Sequence, residues 1–294
     1  MRSLPVAVEN VCCASRYCGR LLTVNIRHLG VTLSSGSQRA APNPRWDHRP
    51  WNADVMNSPQ SSADRAATPA ENAPRPAEPD PATHVIVLPG GGYAGHADNE
   101  AEPIAEWLGQ LGLSTSVFRY PVHTRHPGPL EAVRAEIRRI RTNGAERVAL
   151  LGSSAGGHLA GHAALSAASS ALERVDAVML CYPVVSMELD TDKGSQEELL
   201  GPSPSTEERV ATSLDRLVTT TAPPFFIWHT ADDPSVPVQH SYLLALALAH
   251  ADVPHALHVF PAGTHGLGLA EGSGEPEAWP GLCAAWLSAL GWPR

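Results

Sequence analysis

The chain has 294 residues, of which 43% are hydrophobic, and a formal net charge of −9. A chain of this length can bury one large core, and α/β folds of this size often form a single domain. The negative charge argues against nucleic acid or an anionic membrane surface as a partner, and no apolar run approaches the roughly 20 residues of a membrane-spanning helix.

Residues 1–80 differ in composition from the rest of the chain. The tract Asn57–Pro81 is rich in Ala, Pro, Ser, Glu and Asp, and such a composition cannot bury enough apolar surface to offset the entropy of ordering. We therefore expect a disordered or weakly structured N-terminal extension. Within it, Leu21–Leu33 has strand-like content that could pair as an edge hairpin or form nothing.

The start of the chain does not resemble an export signal. Arg16 and Arg20 interrupt the region where an apolar core of about 7–15 residues should lie. We therefore expect a cytoplasmic protein. Every recognisable motif lies after Met56, so a further hypothesis is that translation starts near Met56 and that the preceding residues are an over-extended reading frame.

Five cysteines are present, an odd number. Cys181 lies in an apolar run typical of a strand, so Cys181 and Cys283 are predicted to be buried free thiols and not a disulfide. Cys12, Cys13 and Cys18 lack the second half of a zinc-binding spacing. The sequence therefore predicts neither a metal site nor a cofactor.

From His84 onward, strand-like segments alternate with helix-like segments, which is typical of a mostly parallel sheet covered by helices on both faces. Ligands of such sheets bind beyond the carboxyl ends of the strands. The predicted strands are His84–Leu88, Ser114–Tyr120, Arg147–Leu151, Ala177–Tyr182, Pro224–His229 and Ala256–Phe260. The predicted helices are Glu100–Leu111, Pro129–Thr142, Ser154–Ala168, Val238–Ala251 and Glu277–Leu290.

The first predicted strand ends at Pro89 and is followed by three glycines. A flexible turn is the simplest interpretation. However, consecutive glycines after a strand also let backbone N–H groups approach a ligand closely. We therefore assign two oxyanion donors here, the backbones of Gly91 and Gly92, although the inward-facing pair could be shifted by one residue.

The third predicted strand leads into G-x-S-x-G, formed by Gly152, Ser154 and Gly156. This pattern is the nucleophile elbow, in which a serine stands clear of the sheet on a tight strand-to-helix turn whose crowding requires very small neighbours. Ser154 is the predicted nucleophile. The N–H of the following residue, Ala155, is the predicted third donor of the oxyanion hole.

The stretch 186–221 interrupts the alternation, with helical possibilities at Gln196–Leu200 and Thr206–Leu217. An insertion at this point could form a lid or a pocket wall, or be a surface loop.

The next strand runs into a polar loop with two adjacent carboxylates. Asp233, just before a proline, is our choice for the acid that orients a histidine. Asp232 is the alternative, and either residue could be a simple turn former.

A glycine-rich loop after the last predicted strand carries His265. The chain has 14 histidines, and His229, His250, His255 and His258 lie within predicted strands or helices, so we interpret them as structural. His265 alone lies on a loop at the carboxyl edge, where a general base must reach the serine hydroxyl. The order Ser154, Asp233, His265 is that of the α/β-hydrolase triad.

From about His84 to Trp292 the chain resembles serine esterases of the α/β-hydrolase fold, in the branch that includes acetyl-xylan-esterase-like and hormone-sensitive-lipase-like enzymes. Pro89 stands where the lipase-like members carry histidine, which favours the acetyl-xylan-esterase-like side. The resemblance implies an α/β-hydrolase catalytic domain over 84–294. It is carried by PGGGY at Pro89–Tyr93, GSSAGGHLA at Gly152–Ala160, YPV at Tyr182–Val184, TADDPSVP at Thr230–Pro237 and GTHGLGL at Gly263–Leu269.

The resemblance implies hydrolysis of short-chain carboxylic esters through an acyl-enzyme, with a small-molecule ester, including acetylated sugars, as substrate. Trp107, Trp228, Trp279 and Trp286 could stack on a sugar, but tryptophans at such positions are more often core. A serine peptidase would use the same triad. A non-catalytic binding protein of the same fold is a second alternative, although such a protein would tolerate loss of the triad residues. The sequence does not indicate an oligomeric state.

Overall fold

A computed structural model describes the backbone of Leu22–Arg27 and Gly30–Ser35, together with residues 80–189 and 192–293. The chain divides into two compact units, 1–69 and 70–294. In the first unit, β1 (Leu22–Arg27) and β2 (Gly30–Ser35) pair antiparallel as a hairpin, so the strand-like segment does form strands. The remaining part of the N-terminal extension, with Met56 and the cysteines at 12, 13 and 18, lies outside the described residues.

The second unit is built on a six-stranded sheet in the order β4-β3-β5-β6-β7-β8, and each adjacent pair is parallel. This arrangement confirms the predicted fold class. The strands are β3 (Asp80–Leu88), β4 (Leu113–Val117), β5 (Arg147–Ser153), β6 (Ala177–Cys181), β7 (Phe225–Thr230) and β8 (His255–Phe260).

Helices follow the strands in chain order. They are α1 (Glu102–Gln110), α2 (Gly128–Thr142), α3 (Ser154–Leu165), α4 (Lys193–Leu200), α5 (Thr206–Thr212), α6 (Leu214–Leu217), α7 (Gln239–His250) and α8 (Trp279–Ala289). Short 3₁₀ segments cover Asp98–Glu100, Ala171–Glu173 and Glu275–Ala278.

Helices cover both faces of the sheet. Successive side chains of a strand point to opposite faces, so neighbouring residues pack against different helices. In β3, Ile86 and Leu88 belong to the core cluster that contains residues of α2, α3 and α7. Their neighbours Val85 and Val87 belong to a second cluster, with residues of α1 and α8. The central strands are therefore apolar on both faces, as a parallel sheet between two helix layers requires.

The insertion between β6 and β7 forms three helices, and the predicted helix Thr206–Leu217 is broken within it. Ser213 is extended between α5 and α6, with φ −82° and ψ 117°. The break lets the N–H of Leu214 bond to the carbonyl of Val185 at 2.9 Å, while the Ser213 hydroxyl accepts from the N–H of Met187 at 2.8 Å. These contacts attach α6 to the segment that follows β6. They replace the backbone hydrogen bonds that an unbroken helix over Thr206–Leu217 would form at Ser213.

Cys181 and Cys283 are buried and unpaired, which confirms the expectation of free thiols. Burial raises the pKa of the Cys181 thiol to about 12, so this thiol stays protonated at neutral pH.

Across 80–189 and 192–293, none of the helices combines the length and the apolar character that crossing a membrane demands.

Candidate active site

Ser154 lies at the junction of β5 and α3, on a turn that only small neighbours permit. Its φ is +53°, a left-handed conformation that is costly for a residue with a side chain. A Cβ on Gly152 would lie 2.3 Å from the carbonyl oxygen of Gly156, and a Cβ on Gly156 would lie 2.1 Å from that of Leu88. Both positions therefore require glycine, which is the physical reason for the G-x-S-x-G spacing.

The structure brings Ser154 at the β5–α3 turn together with Asp233 and His265 from the loops after β7 and β8. The Nε2 atom of His265 lies 2.8 Å from the Ser154 hydroxyl, and its Nδ1 atom lies 2.7 Å from Oδ2 of Asp233. A carboxylate only accepts, so Nδ1 carries the proton of a neutral imidazole and Nε2 is free to accept from the hydroxyl. This is the relation that a nucleophile, a general base and an orienting acid require.

The Asp233 carboxylate is buried and saturated with donors. Its Oδ1 atom accepts from the N–H groups of Ser235 and Val236 at 2.8 and 2.9 Å. Its Oδ2 atom lies 3.3 Å from Nε2 of His229, in addition to the contact with His265. Burial alone would raise the pKa of Asp233, but the bonds from His229, His265 and Val236 outweigh burial and hold this pKa below its ordinary value.

The alternative acid, Asp232, is directed elsewhere. Its Oδ1 atom accepts from the N–H of Gly263 at 2.8 Å, and the carbonyl of Gly263 accepts from the Thr230 hydroxyl at 2.8 Å. Further along the same loop, the carbonyl of Gly266 accepts from the Asn99 side chain at 2.8 Å. Asp232 thus fixes the start of the loop that carries His265, without touching the imidazole.

The glycine loop after β3 places unused N–H groups at the same edge of the sheet. Gly91 and Gly92 have φ of +130° and +66°, and a Cβ on Gly91 would lie 2.3 Å from the carbonyl oxygen of Gly95. Among the described residues, the N–H groups of Gly91, Gly92 and Ala155 donate to no acceptor, whereas the N–H of Gly90 donates to Glu100. The first three groups are therefore free for a ligand.

Two buried side chains beside this site were not predicted from the sequence, Glu100 and Tyr182. Glu100 is 2% exposed and accepts from the N–H of Gly90 and from the Tyr182 hydroxyl, both at 2.7 Å. Burial raises its pKa above the ordinary value, against the effect of those two bonds. In the sequence, Glu100 is simply the first residue of a predicted helix, and Tyr182 is the end of an apolar strand.

A second buried contact links the glycine loop to the insertion through helix α3. The Tyr93 hydroxyl lies 2.7 Å from Nδ1 of His158, and Nε2 of His158 lies 2.7 Å from the carbonyl oxygen of Thr212. The carbonyl only accepts, so Nε2 carries the proton and the tyrosine donates to Nδ1. Burial lowers the pKa of His158 to about 4, so this imidazole is neutral at physiological pH.

The four tryptophans considered as sugar-stacking residues belong to the core. Trp228 and Trp279 are fully buried and stack at 5.3 Å between ring centroids, and Trp107 meets Trp279 edge-on at 5.1 Å. Trp286 packs against the same cluster. Within the described residues, no group of three or more His, Cys, Asp or Glu side chains is arranged to hold a metal ion.

The parallel sheet, the strand-to-helix turn and the solved relatives define the class of the protein, an esterase-type hydrolase of α/β-hydrolase fold. The family model that matches is BD-FAE, over residues 74–248. The chain therefore belongs to the BD-FAE family, an esterase family of this fold.

Three relatives illustrate the likeness. A crystal structure of an acetyl ester-xyloside bifunctional hydrolase from Caldicellulosiruptor lactoaceticus is 38% identical, with a TM-score of 0.69, and the match covers 74% of this chain and 85% of that one. A carboxylesterase from Lactobacillus plantarum is 23% identical, with a TM-score of 0.63 over 98% of this chain and 99% of that one, and shows the fold alone. Endo-1,4-beta-xylanase B from Butyrivibrio fibrisolvens is 34% identical over an alignment of 206 residues, and the match covers 63% of this chain. The match covers only 32% of that xylanase's length.

Proposed function

We propose that the protein is a serine hydrolase that cleaves short-chain carboxylic esters through an acyl-enzyme. The observation that carries this proposal is the continuous contact from the Ser154 hydroxyl to His265 at 2.8 Å and from His265 to Asp233 at 2.7 Å. The first distance lies in the range in which a proton can pass from the nucleophile to the base, and the second lets Asp233 hold the imidazole in the required tautomer.

In the first step, Nε2 of His265 accepts the proton of Ser154 while the serine oxygen attacks the ester carbonyl. The imidazole becomes positively charged. Asp233 stays ionised, because its hydrogen bonds hold its pKa below the ordinary value, and its negative charge stabilises the imidazolium. The imidazolium then donates its proton to the leaving alcohol oxygen, and the acyl group remains on the serine.

The negative charge that develops on the carbonyl oxygen is stabilised by backbone donors. The unused N–H groups of Gly91, Gly92 and Ala155 support this assignment. Each such donor is worth about 10²–10³ in rate in serine hydrolases. In the second step, His265 takes a proton from water, the resulting nucleophile attacks the acyl carbon, and the acid is released with Ser154 reprotonated.

For the substrate we propose small esters with short acyl groups, with acetylated sugars as the first class to test. The name of the Caldicellulosiruptor enzyme, an acetyl ester-xyloside hydrolase 38% identical to this chain, supports this choice. Pro89 supports it as well, because this proline stands before the glycines where the lipase-like enzymes carry histidine.

A panel of p-nitrophenyl esters from acetyl to palmitoyl, together with acetylated xylose and a p-nitroanilide, tests this proposal. We expect the highest kcat/KM for the acetyl or propionyl ester, release of acetate from the sugar, and no turnover of the anilide. Faster turnover of the palmitoyl ester would contradict the short-chain assignment. Turnover of the anilide at a rate similar to the acetyl ester would instead favour a peptidase.

A further inference from the structure

Glu100 is a buried carboxylate directly behind the candidate oxyanion loop. Its Oε2 atom accepts from the N–H of Gly90 at 2.7 Å, and its Oε1 atom accepts from the Tyr182 hydroxyl at 2.7 Å. No lysine or arginine among the described residues forms an ion pair with it. A buried charge without a cation is costly, so its retention at this position calls for a physical explanation.

The first contact fixes the peptide that begins the oxyanion loop. The N–H of Gly90 is held by Glu100, and the carbonyl of Pro89 accepts from the Tyr120 hydroxyl at 2.9 Å. Both polar groups of one peptide unit are therefore bonded, one on each side, and the plane of that peptide cannot rotate. This peptide is the fixed start of the loop that carries the N–H groups of Gly91 and Gly92.

The second contact reaches the loop that carries the histidine. The Tyr182 hydroxyl accepts from the N–H of Gly268 at 3.0 Å, so its own proton is directed to Glu100. The Tyr182 ring also meets the imidazole of His265 edge-on, with 5.0 Å between the ring centroids. Glu100 is thus connected to the glycine loop by one direct hydrogen bond and to the histidine loop by two hydrogen bonds in series through Tyr182.

Space around the carboxylate is equally restricted. A Cβ on Gly90 would lie 2.5 Å from Oε2 of Glu100 and 3.0 Å from the Cβ of Ser154. A Cβ on Gly266 would lie 3.8 Å from Oε1. The carboxylate therefore lies in contact range of the oxyanion loop and of the histidine loop, with the nucleophile just beyond Gly90.

The charge of Glu100 acts on a group that becomes cationic during the reaction. The titratable side chains that face it are Tyr120, Cys181, Tyr182 and His265. Burial raises the pKa of the two phenols and of the thiol, so these three stay neutral. A negative charge close to His265 favours the imidazolium that forms when Ser154 is deprotonated.

We propose that Glu100 is a positioning residue of this site, which aims the oxyanion loop through Gly90, holds the histidine loop through Tyr182, and stabilises the charged form of His265. This inference rests on the proposed function, because it assumes that His265 is the general base. The geometric effect acts on kcat, whereas the charge effect acts on the pH dependence, and the two can be separated by substitution.

The experiment compares Glu100→Gln and Glu100→Asp with wild type and with Glu102→Gln. The control residue is exposed and pairs with Arg119 at the surface at 2.8 Å. Active sites are first titrated with a fluorophosphonate, so that unfolded protein does not count. kcat and KM for p-nitrophenyl acetate are then measured from pH 5 to pH 9.

In glutamine one of the two oxygen positions becomes an NH2 group, which cannot accept a hydrogen bond, and the side chain carries no charge. We expect kcat per titrated site to fall at least about tenfold, less than the full loss of an oxyanion donor, with KM changed less. We also expect the acid limb of the kcat/KM profile to move down by roughly half a pH unit or more. Aspartate keeps the charge but shortens the reach, so its kcat falls without that shift. Glu102→Gln matches wild type.

A Glu100→Gln enzyme with wild-type kcat and an unmoved acid limb overturns the inference. A fall in kcat without any shift of the limb overturns its electrostatic part. If the Gln variant does not fold, Tyr182→Phe is the deciding variant, because it removes the hydroxyl that connects Glu100 to the histidine loop. A wild-type kcat in Tyr182→Phe overturns the positioning role of Glu100. Failure of the proposed function looks different, because wild type itself would then not react with the fluorophosphonate.

Discussion

The buried His158 gives the protein an acid-sensitive stability that can be calculated from the structure. Burial lowers the pKa of this imidazole from 6.5 to about 4 in the folded state. In the unfolded chain the pKa returns to its ordinary value, so the unfolded state binds a proton first as the pH falls. The stabilisation is therefore complete above pH 6.5 and is lost progressively between pH 6.5 and pH 4.

At pH 5 these two pKa values correspond to a loss of about 2 kcal/mol of unfolding free energy relative to pH 7.5. His158→Gln provides the test, because an amide can accept from Tyr93 and donate to Thr212 but does not titrate. We expect this variant to be less stable than wild type at pH 7.5, with a loss between pH 7.5 and pH 5 that is smaller by about 2 kcal/mol.

The assay is equilibrium unfolding in urea at both pH values, monitored by tryptophan fluorescence. His250→Gln is the matched control, because His250 is exposed at the end of α7. The control should keep the wild-type difference between the two pH values. If His158→Gln also keeps the full wild-type difference, then burial does not lower the pKa of His158 in the folded state.

Two further predictions concern the acid and the elbow. Asp233→Asn should lower kcat for p-nitrophenyl acetate by about 10⁴, since the amide no longer holds the correct tautomer of His265, whereas Asp232→Asn should cost less than about tenfold because it loses only a loop contact. Equal losses in both variants would reject the assignment of Asp233. Gly156→Ala should lower Tm sharply or prevent folding, because its Cβ would lie 2.1 Å from a backbone oxygen, while Gly281→Ala, with nothing within 4 Å, should leave Tm unchanged or raise it. A Gly156→Ala protein with wild-type Tm would show that the elbow can relax.

The strand positions follow from the sequence because the core of a parallel sheet is apolar on both faces. β6 and β7 are buried along their whole length; β6 appears in the sequence as a continuous apolar run, and β7 begins with four apolar residues before His229 and Thr230. The elbow glycines are recognisable for a similar reason, since the local backbone leaves no space for a side chain. The apolar strand segments and the elbow glycines are local signals, because each can be recognised within a few consecutive residues.

The features that the sequence did not indicate depend on contacts between distant segments. Glu100 acquires its position from Gly90 and Tyr182, which lie 10 and 82 residues away along the chain. The break at Ser213 depends on contacts with the segment after β6, and the residues around Ser213 contain no sequence signal that predicts the end of a helix there. The periodicity of apolar residues identifies helices and strands, but it does not show which buried polar groups form hydrogen bonds with each other.

The most direct test of the central assignment is labelling with a serine-directed fluorophosphonate, followed by intact mass and peptide mapping. We expect one adduct per chain, located on Ser154, and neither adduct nor p-nitrophenyl acetate hydrolysis for Ser154→Ala. An adduct on another serine, or continued labelling and turnover by Ser154→Ala, would contradict it.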